Sequence, residues 1–189
     1  GHDDVVKGGR LIEQMKPFLQ ETEYKDSSIA YLYSDEARRH YNIESGGMYT
    51  YRELVTAYYT SLIRRGLSVE VVQETADFAP YKLVIVPFIR HLSGKLLEKL
   101  QDFVSQGGKV IVGPMTADRN EELALNETNG FGDLGEWLGL GEMLQFTVHD
   151  QQFLMSDQTH EEELDRLVTT FKAPKEWETI LTIEDGRTV

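Results

Sequence analysis

Residues 81–114 read YKLVIVPFIRHLSGKLLEKLQDFVSQGGKVIVGP, and this stretch decides the fold class of the chain. Leu83–Val86 is an apolar run of strand length, and Lys109–Val112 is predicted to be a second buried strand. Between them, Ser93 is placed to cap a helix, and Gly107-Gly108 ends that helix. The segment therefore predicts one βαβ unit, whose parallel strands must lie in a sheet covered on both faces. The side chains predicted to form the buried stripe of its helix are Leu96, Leu97, Leu100, Phe103 and Val104.

The segments before this unit extend the same alternation of strands and helices. They are a helix from about Arg10 to Glu23 that Pro17 should kink or split, a strand at Ile29–Tyr33, a loop from Ser34 to Tyr49, a helix opened by the Thr50–Glu53 capping box and ended by Gly66, and a strand at Ser68–Val72. Consecutive units of this kind predict an α/β fold of the flavodoxin or class I glutamine amidotransferase type. Such a fold is doubly wound, with a mostly parallel sheet and helices on both faces.

The segments after the unit are less regular. They are a loop from Met115 to Phe131, a short helix starting at Asp133–Glu136, a strand at Met143–Val148, a helix opened by a capping box at Thr159–Glu162 and continuing through Phe171, and a strand at Trp177–Ile183. We expect one α/β domain over residues 1–189, with a leading helix at 1–27, a core at 28–148 and a C-terminal extension at 149–189. The final residues resemble a turn that enters a strand, so we expect the domain to be excised from a longer multidomain enzyme.

Composition excludes several classes of function. The net charge is −13, from 32 acidic and 19 basic residues, which disfavours binding to nucleic acids and to anionic membranes. No apolar run approaches the roughly 20 residues that a membrane-spanning helix needs. The chain has no cysteine, which removes disulfides, thiolate metal sites and cysteine nucleophiles. Together with the polar N-terminus, which shows no signal peptide, this composition predicts a cytoplasmic location.

Ligands of open α/β sheets bind beyond the carboxyl ends of the strands, where the strand order reverses. The loops at that edge supply the candidate cleft or interface residues, which are Ser34, Asp35, Arg38, Arg90, Met115, Thr116 and Arg119. The turn that could hold a nucleophile in such a fold reads Pro114-Met115-Thr116, and a thioether cannot form a thiolate. We therefore predict no catalytic residue on this chain.

Cofactor and metal sites are not indicated either. No GxGxxG or P-loop pattern occurs, and the two carboxylates that follow Ser34 would repel a phosphate group. The five histidines are scattered, and no HxxxH or HxH pair exists. Residues Asp118–Glu122 lack the spacing of a calcium loop and are interpreted as a solvated acidic loop. The sequence thus predicts neither a bound cofactor nor a metal ion.

Several segments together resemble the middle, trimerisation domain of glycoside hydrolase family 42 β-galactosidases, a domain with a glutamine amidotransferase-like fold. The segments that carry the resemblance are Ile29–Tyr33, Tyr58–Val72, Tyr81–Pro87, Leu92-Ser93, Phe103–Gly108 and Gly113–Glu121. The order and spacing of these segments are more specific than any one of them. Met115 departs from the family, which commonly has arginine there.

The resemblance implies a division of labour. In such enzymes a preceding (β/α)₈ barrel carries the catalytic glutamates, and the domain that resembles this chain packs beside the barrel and contributes trimer contacts. No catalytic glutamate is therefore assigned to this chain. The expected function is a non-catalytic assembly domain whose partners are the parent's barrel and further copies of the protein. The alternative is a stand-alone small-molecule-binding module that lacks the amidotransferase cysteine.

Overall fold

The computed structural model describes residues 2–22, 26–44, 49–127, 129–147, 153–156, 161–164, 167–183 and 186–189. The helices are α1 (His2–Glu21), α2 (Asp35–Glu44), α3 (Tyr51–Arg64), α4 (Gly94–Ser105) and α5 (Gly132–Leu138). The strands are β1 (Ile29–Tyr33), β2 (Glu70–Gln73), β3 (Leu83–Val86), β4 (Lys109–Val112), β5 (Gly141–Thr147), β6 (Phe153–Ser156), β7 (Glu161–Leu164), β8 (Leu167–Lys172) and β9 (Thr182–Ile183).

The main sheet has four parallel strands in the order β2-β1-β3-β4. The chain winds from β1 outward to β2, returns to β3 on the other side of β1, and then continues outward to β4. This reversal places a switch point between β1 and β3, as the predicted doubly wound fold requires. The strand alignment pairs Ala30 with Glu70 on one side and with Val84 on the other. The predicted fold class is confirmed.

Helices cover both faces of this sheet, and each face has its own core. On one face, Leu96, Leu100 and Phe103 of α4 pack in a cluster with Leu32 and Val84 of the strands. On the other face, α2 and α3 supply tyrosines that pack around Tyr31 and Ile85, and these are Tyr41, Tyr51, Tyr58 and Tyr59. Apolar side chains therefore project from both faces of β1 and β3 into the two cores. This explains why these two central strands are almost wholly buried.

The predicted loop from Ser34 to Tyr49 is wrong over much of its length, because α2 occupies Asp35–Glu44. The Ser34 hydroxyl accepts a hydrogen bond from the Ala37 amide at 3.0 Å, which caps the helix. Ala37 and Tyr41 lie one turn apart and are both buried against the sheet. Their burial supplies the stability that the charged sequence of α2 lacks by itself.

Strand β4 has the predicted bounds but is not buried. It pairs with β3 alone among the described strands, and the side chain of Ile111 is 44% exposed. Val104 of α4, predicted to be buried, is 38% exposed next to this open edge. The apolar run at residues 110–112 predicts cover on both faces, but no described strand after β4 joins this sheet. An apolar edge of this kind is unusual for an isolated domain.

The C-terminal region differs most from the prediction. The predicted helix through Phe171 is wrong, because β7 and β8 occupy Glu161–Leu164 and Leu167–Lys172. Part of its predicted capping box, Thr159-His160, lies outside the described residues. Strand β8 pairs antiparallel with β5, and its β-branched residues Val168, Thr169 and Thr170 suit a strand. The predicted strand at Trp177–Ile183 shrinks to β9, and β6 was not predicted.

Helix α1 continues through Pro17 instead of splitting there, and none of its residues is buried. Proline removes one backbone donor, but water can hydrogen-bond the freed carbonyl on an exposed helix. Its apolar residues Leu11, Ile12 and Phe18 are all exposed. The amphipathic pattern of α1 is therefore present, but the apolar stripe contacts no core within the described residues.

The capping box at the start of α3 makes a direct prediction. The Thr50 hydroxyl accepts from the Glu53 amide at 3.2 Å, and the Glu53 carboxylate accepts from the Thr50 amide at 2.8 Å. Thr50→Ala should lower the free energy of unfolding by about 1 kcal/mol, measured by urea denaturation. Thr56→Ala, at an exposed position within the same helix, is the control and should be neutral or slightly stabilising. Equal effects of the two substitutions would contradict a capping role.

Candidate functional site

The loops after β3 and β4 run side by side at the carboxyl edge of the sheet. The Phe88 amide donates to the Pro114 carbonyl at 3.0 Å, and the Arg119 amide donates to the Arg90 carbonyl at 3.0 Å. Phe88 and Met115 hold positive φ angles of 58° and 52°, which are rare for residues with side chains. Strained backbone of this kind concentrates at functional sites and persists only where the surroundings enforce it. These two loops therefore form the candidate site.

Asp118 is the centre of this edge. Its carboxylate is 0% exposed and accepts two parallel hydrogen bonds from Arg90, at 3.1 Å from Nε and 2.7 Å from Nη2. Arg119 Nη1 donates to it at 3.2 Å and Gln145 Nε2 at 3.0 Å. The interpretation of Asp118–Glu122 as a solvated loop is therefore wrong for Asp118. This carboxylate instead joins the two loops to β5.

Arg90 is itself enclosed. Only 5% of the residue is exposed, and its guanidinium lies over the ring of Tyr41 at 5.8 Å from the ring centroid. A planar guanidinium suits this position because it can stack on a ring while it forks onto a carboxylate. The Arg90–Asp118 pair is thus held by contacts on both sides, and its role is to stabilise the packing of the two loops.

In the turn predicted to lack a nucleophile, Met115 and Thr116 are both buried. The Thr116 hydroxyl donates to the carbonyls of Val86 and Pro114 at 3.2 and 3.3 Å. These bonds hold the hydroxyl against the main chain of its own loop and of the strand before it. The geometry of this turn therefore fits a structural role for both side chains.

The structure places the seven predicted site residues in four different settings. Arg90, Met115 and Arg119 line one cleft of about 760 Å³. Ser34 is buried and does not line that cleft; its amide donates to the Tyr51 hydroxyl at 3.0 Å, and its side chain caps α2. Asp35 and Arg38 pair at 3.3 Å on the exposed first turn of α2 and do not line that cleft. Thr116 lines a different groove.

That second groove is apolar and runs along the open edge of β4, with a volume of about 1220 Å³. Ile111 and Val112 line it from the strand, and Trp137 and Trp177 line it from α5 and the C-terminal region. Contiguous apolar surface on a protein marks a contact with something else. This groove and the cleft beside Arg119 both adjoin the carboxyl-edge loops.

Sequence reasoning missed Asp118, Gln145 and Tyr41. A lone aspartate in an acidic loop gives no signal by itself, because its partner Arg90 is 28 residues away. Gln145 lies on β5, outside the loops at the carboxyl edge of the main sheet. Only the pairing of the two loops in space brings these side chains together.

Buried tyrosines give this region a definite response to pH. Burial raises the pKa values of Tyr31, Tyr41 and Tyr58 above their usual range, and it raises the pKa of Tyr51 to about 12. For Tyr41 the nearby guanidinium of Arg90 opposes this rise in pKa. The folded state thus favours the protonated phenols. Their stabilisation is complete below the ordinary pKa near 10 and is lost as pH rises through the folded pKa values, for Tyr51 between about 10 and 12.

Tyr41 and Tyr51 form a matched pair for a test. The Tyr41 hydroxyl is buried and has no hydrogen-bond partner in the described part of the chain, whereas the Tyr51 hydroxyl accepts from Ser34. Tyr41→Phe should leave stability at pH 7 unchanged or raise it by up to about 1 kcal/mol, while Tyr51→Phe should lose about 1–2 kcal/mol. Urea unfolding at neutral pH and above pH 10 measures both. Tyr41→Phe should also flatten the alkaline loss, and a steeper loss would contradict the assignment.

The described side chains contain no cluster of three or more His, Asp or Glu residues that could hold a metal ion. Over the same residues, no helix combines the length and the apolar character needed to cross a bilayer.

Comparison with known proteins identifies relatives for most of the chain. β-Galactosidase YesZ of Bacillus subtilis (strain 168) is 27% identical over 150 residues, which cover 79% of this chain and 23% of that protein. β-Galactosidase Bga of Halorubrum lacusprofundi is 31% identical over 91 residues, or 48% of this chain and 13% of its own length. The chain thus spans about a quarter of the length of the first of these relatives.

Solved structures agree on the fold. The β-galactosidase of the psychrophilic Marinomonas ef1 matches 95% of this chain with a TM-score of 0.79 and 21% identity, using 27% of its own length. Gan42B, a family 42 β-galactosidase, matches 97% of this chain with the same TM-score and identity, also over 27% of its length. The family model described as the β-galactosidase trimerisation domain matches residues 27–189. That match covers nearly all of the folded core, and the chain belongs to the β-galactosidase trimerisation domain family.

Proposed function

We propose that this chain assembles a β-galactosidase of glycoside hydrolase family 42 by packing beside the parent's catalytic barrel and holding three such subunits together. The observation that carries the proposal is the family match over residues 27–189, in a chain whose carboxyl-edge turn is closed by buried Met115 and Thr116. The relatives that match are named β-galactosidases and are several times longer than this chain. Catalysis therefore belongs to the part of the parent outside these residues.

The distribution of apolar surface supports an assembly role. Ile111 and Val112 on the open edge of β4 and Leu11 and Phe18 on α1 are all exposed. A small domain with two separate exposed apolar faces is stabilised when other surfaces cover them.

The division into a leading helix at 1–27, a core at 28–148 and an extension at 149–189 is part of the same proposal. Location in the cytoplasm is also proposed, since a chain without cysteine suits a reducing compartment.

Expression of the full-length parent, with and without residues equivalent to 27–189, tests the assembly role. Sedimentation velocity should give a trimer for the whole protein and a smaller species for the deletion variant. A deletion variant that remains trimeric would overturn the proposal. Far-ultraviolet circular dichroism of the deletion variant shows that the remaining domains are folded.

The absence of catalysis has its own experiment. The isolated chain, incubated with a chromogenic galactoside, should release no more chromophore than a blank without protein. Turnover above the blank that persists after repeated purification would contradict a non-catalytic role. Unlike the deletion experiment, this assay does not depend on the oligomeric state.

A further inference from the structure

Three amide side chains line the cleft beside Arg119, and the fold anchors one end of each. Asn126 Nδ2 donates to the Ala117 carbonyl at 2.8 Å, and Asn129 Oδ1 accepts from the Phe131 amide at 2.8 Å. Gln145 Nε2 donates to Asp118 at 3.0 Å. These bonds fix the orientation of all three side chains before any ligand arrives, which lowers the entropy cost of binding.

Two glycines make room for this arrangement. A Cβ atom at Gly135 would lie 2.4 Å from Asn129 Oδ1, and one at Gly132 would lie 3.1 Å from Asn126 Nδ2. Gly132 also has a φ of +52°, in the region that other residues rarely adopt. The chain therefore accommodates the two asparagines at positions where a larger residue would collide with them.

The second end of each amide has no hydrogen bond to the described residues. Asn126 Oδ1 and Gln145 Oε1 are acceptors, and Asn129 Nδ2 is a donor. A ligand that meets all three must both donate and accept hydrogen bonds. Hydroxyl groups do both, so a polyhydroxylated ligand matches this set.

The charges around the cleft cancel. Arg90 and Arg119 both bond to Asp118, and Glu142 pairs with Lys172 at 2.7 Å. With Glu127, which also lines the cleft, these side chains carry three positive and three negative charges. An anion gains no net attraction here, so the ligand class that fits is neutral.

The apolar lining completes the match. Tyr49, Met115 and Met143 line the same cleft and offer surface to the C–H face of a sugar ring. Its volume of about 760 Å³ lies within the range of about 300–1,000 Å³ that is usual for ligand sites. We propose that this cleft is a binding site for a neutral saccharide, held by the anchored amides of Asn126, Asn129 and Gln145. The proposal goes beyond the assembly role and does not depend on it.

Titration of the ¹⁵N-labelled chain with lactose tests the site by heteronuclear NMR. The amide resonances of Arg119, Asn126, Asn129 and Gln145 should shift and saturate, with a dissociation constant on the order of 1 mM. Leu125 lines the cleft and is 57% exposed, so Leu125→Trp should obstruct it without loss of folding and weaken binding by about 10-fold or more. Leu67→Trp, at an exposed position that does not line the cleft, is the matched control and should bind as the wild type does.

Three outcomes would overturn the proposal. They are shifts that never saturate, equal weakening by both tryptophan variants, and tighter binding of inorganic phosphate than of lactose to the same resonances. Sedimentation of the same samples reports self-association separately. A monomeric chain that binds lactose would leave the saccharide site intact, and a trimer that does not bind it would remove the saccharide site alone.

Discussion

Arg90→Met should lower the free energy of unfolding by about 3 kcal/mol, because it leaves the fully buried Asp118 carboxylate without its bidentate partner. Arg119 and Gln145 still reach this carboxylate, but each does so through a single hydrogen bond. The loss of Arg90 also removes its contact with the Tyr41 ring. Urea denaturation followed by circular dichroism measures the change.

The control for this prediction is an ion pair of the same type on the surface. Arg38 and Asp35 lie 3.3 Å apart with both side chains about half exposed. Arg38→Met should change stability by less than about 0.5 kcal/mol, because exposed pairs contribute little. The double variant Arg90→Met with Asp118→Leu should recover part of the loss, since it removes the buried charge as well. A loss of less than about 1 kcal/mol for Arg90→Met alone would refute the central role of this pair.

Leu100→Ala should be about as destabilising, at roughly 3 kcal/mol. Leu100 is 1% exposed and packs between α4 and the sheet, so truncation leaves a cavity that the neighbouring Phe103 and Val84 cannot fill. Urea unfolding of the isolated chain gives this value, provided that the dependence on denaturant concentration stays the same as for the wild type.

Val104, one turn further along α4, provides the comparison. It lines the open groove beside β4 and is 38% exposed, so Val104→Ala should cost less than about 1 kcal/mol. Both substitutions remove apolar atoms from the same helix, and burial is the main difference between them. Equal losses in the free energy of unfolding would mean that something covers the groove in solution. A repeat of both measurements at several protein concentrations would show whether that cover is a second copy of the chain.

The main sheet was predictable because its signals are local. Strand bounds at Leu83–Val86 and Lys109–Val112, the cap at Ser93 and the capping box at Thr50 follow from neighbouring residues, and the structure has all of them. The resemblance to family 42 trimerisation domains is likewise confirmed. The predicted cleft residues could be placed at the carboxyl edge, but their contacts could not be derived from the sequence.

Failures occurred where a local pattern competed with a distant partner. The spacing of Leu164, Leu167 and Phe171 fits a helix, yet Leu164 pairs with Phe153 in β6 and Thr169 pairs with Gln145 in β5, so both parts of this segment are strands. The apolar sequence of β4 suggested burial, but cover on its open side would have to come from outside the described sheet. In both places long-range packing outweighs local preference, which spans only about 1 kcal/mol for strands.

The sequence alone determined the strands of the main sheet, the absence of a cysteine nucleophile and membership of an assembly-domain family, because each depends on residue identity or on short spacing. Only the tertiary structure decided that Asp118 joins Arg90 to Gln145, that α2 replaces a loop, and that an apolar edge stays open along β4. These features depend on groups separated by tens of residues. The free energy that selects them comes from burial and charge pairing in space, which no local pattern records.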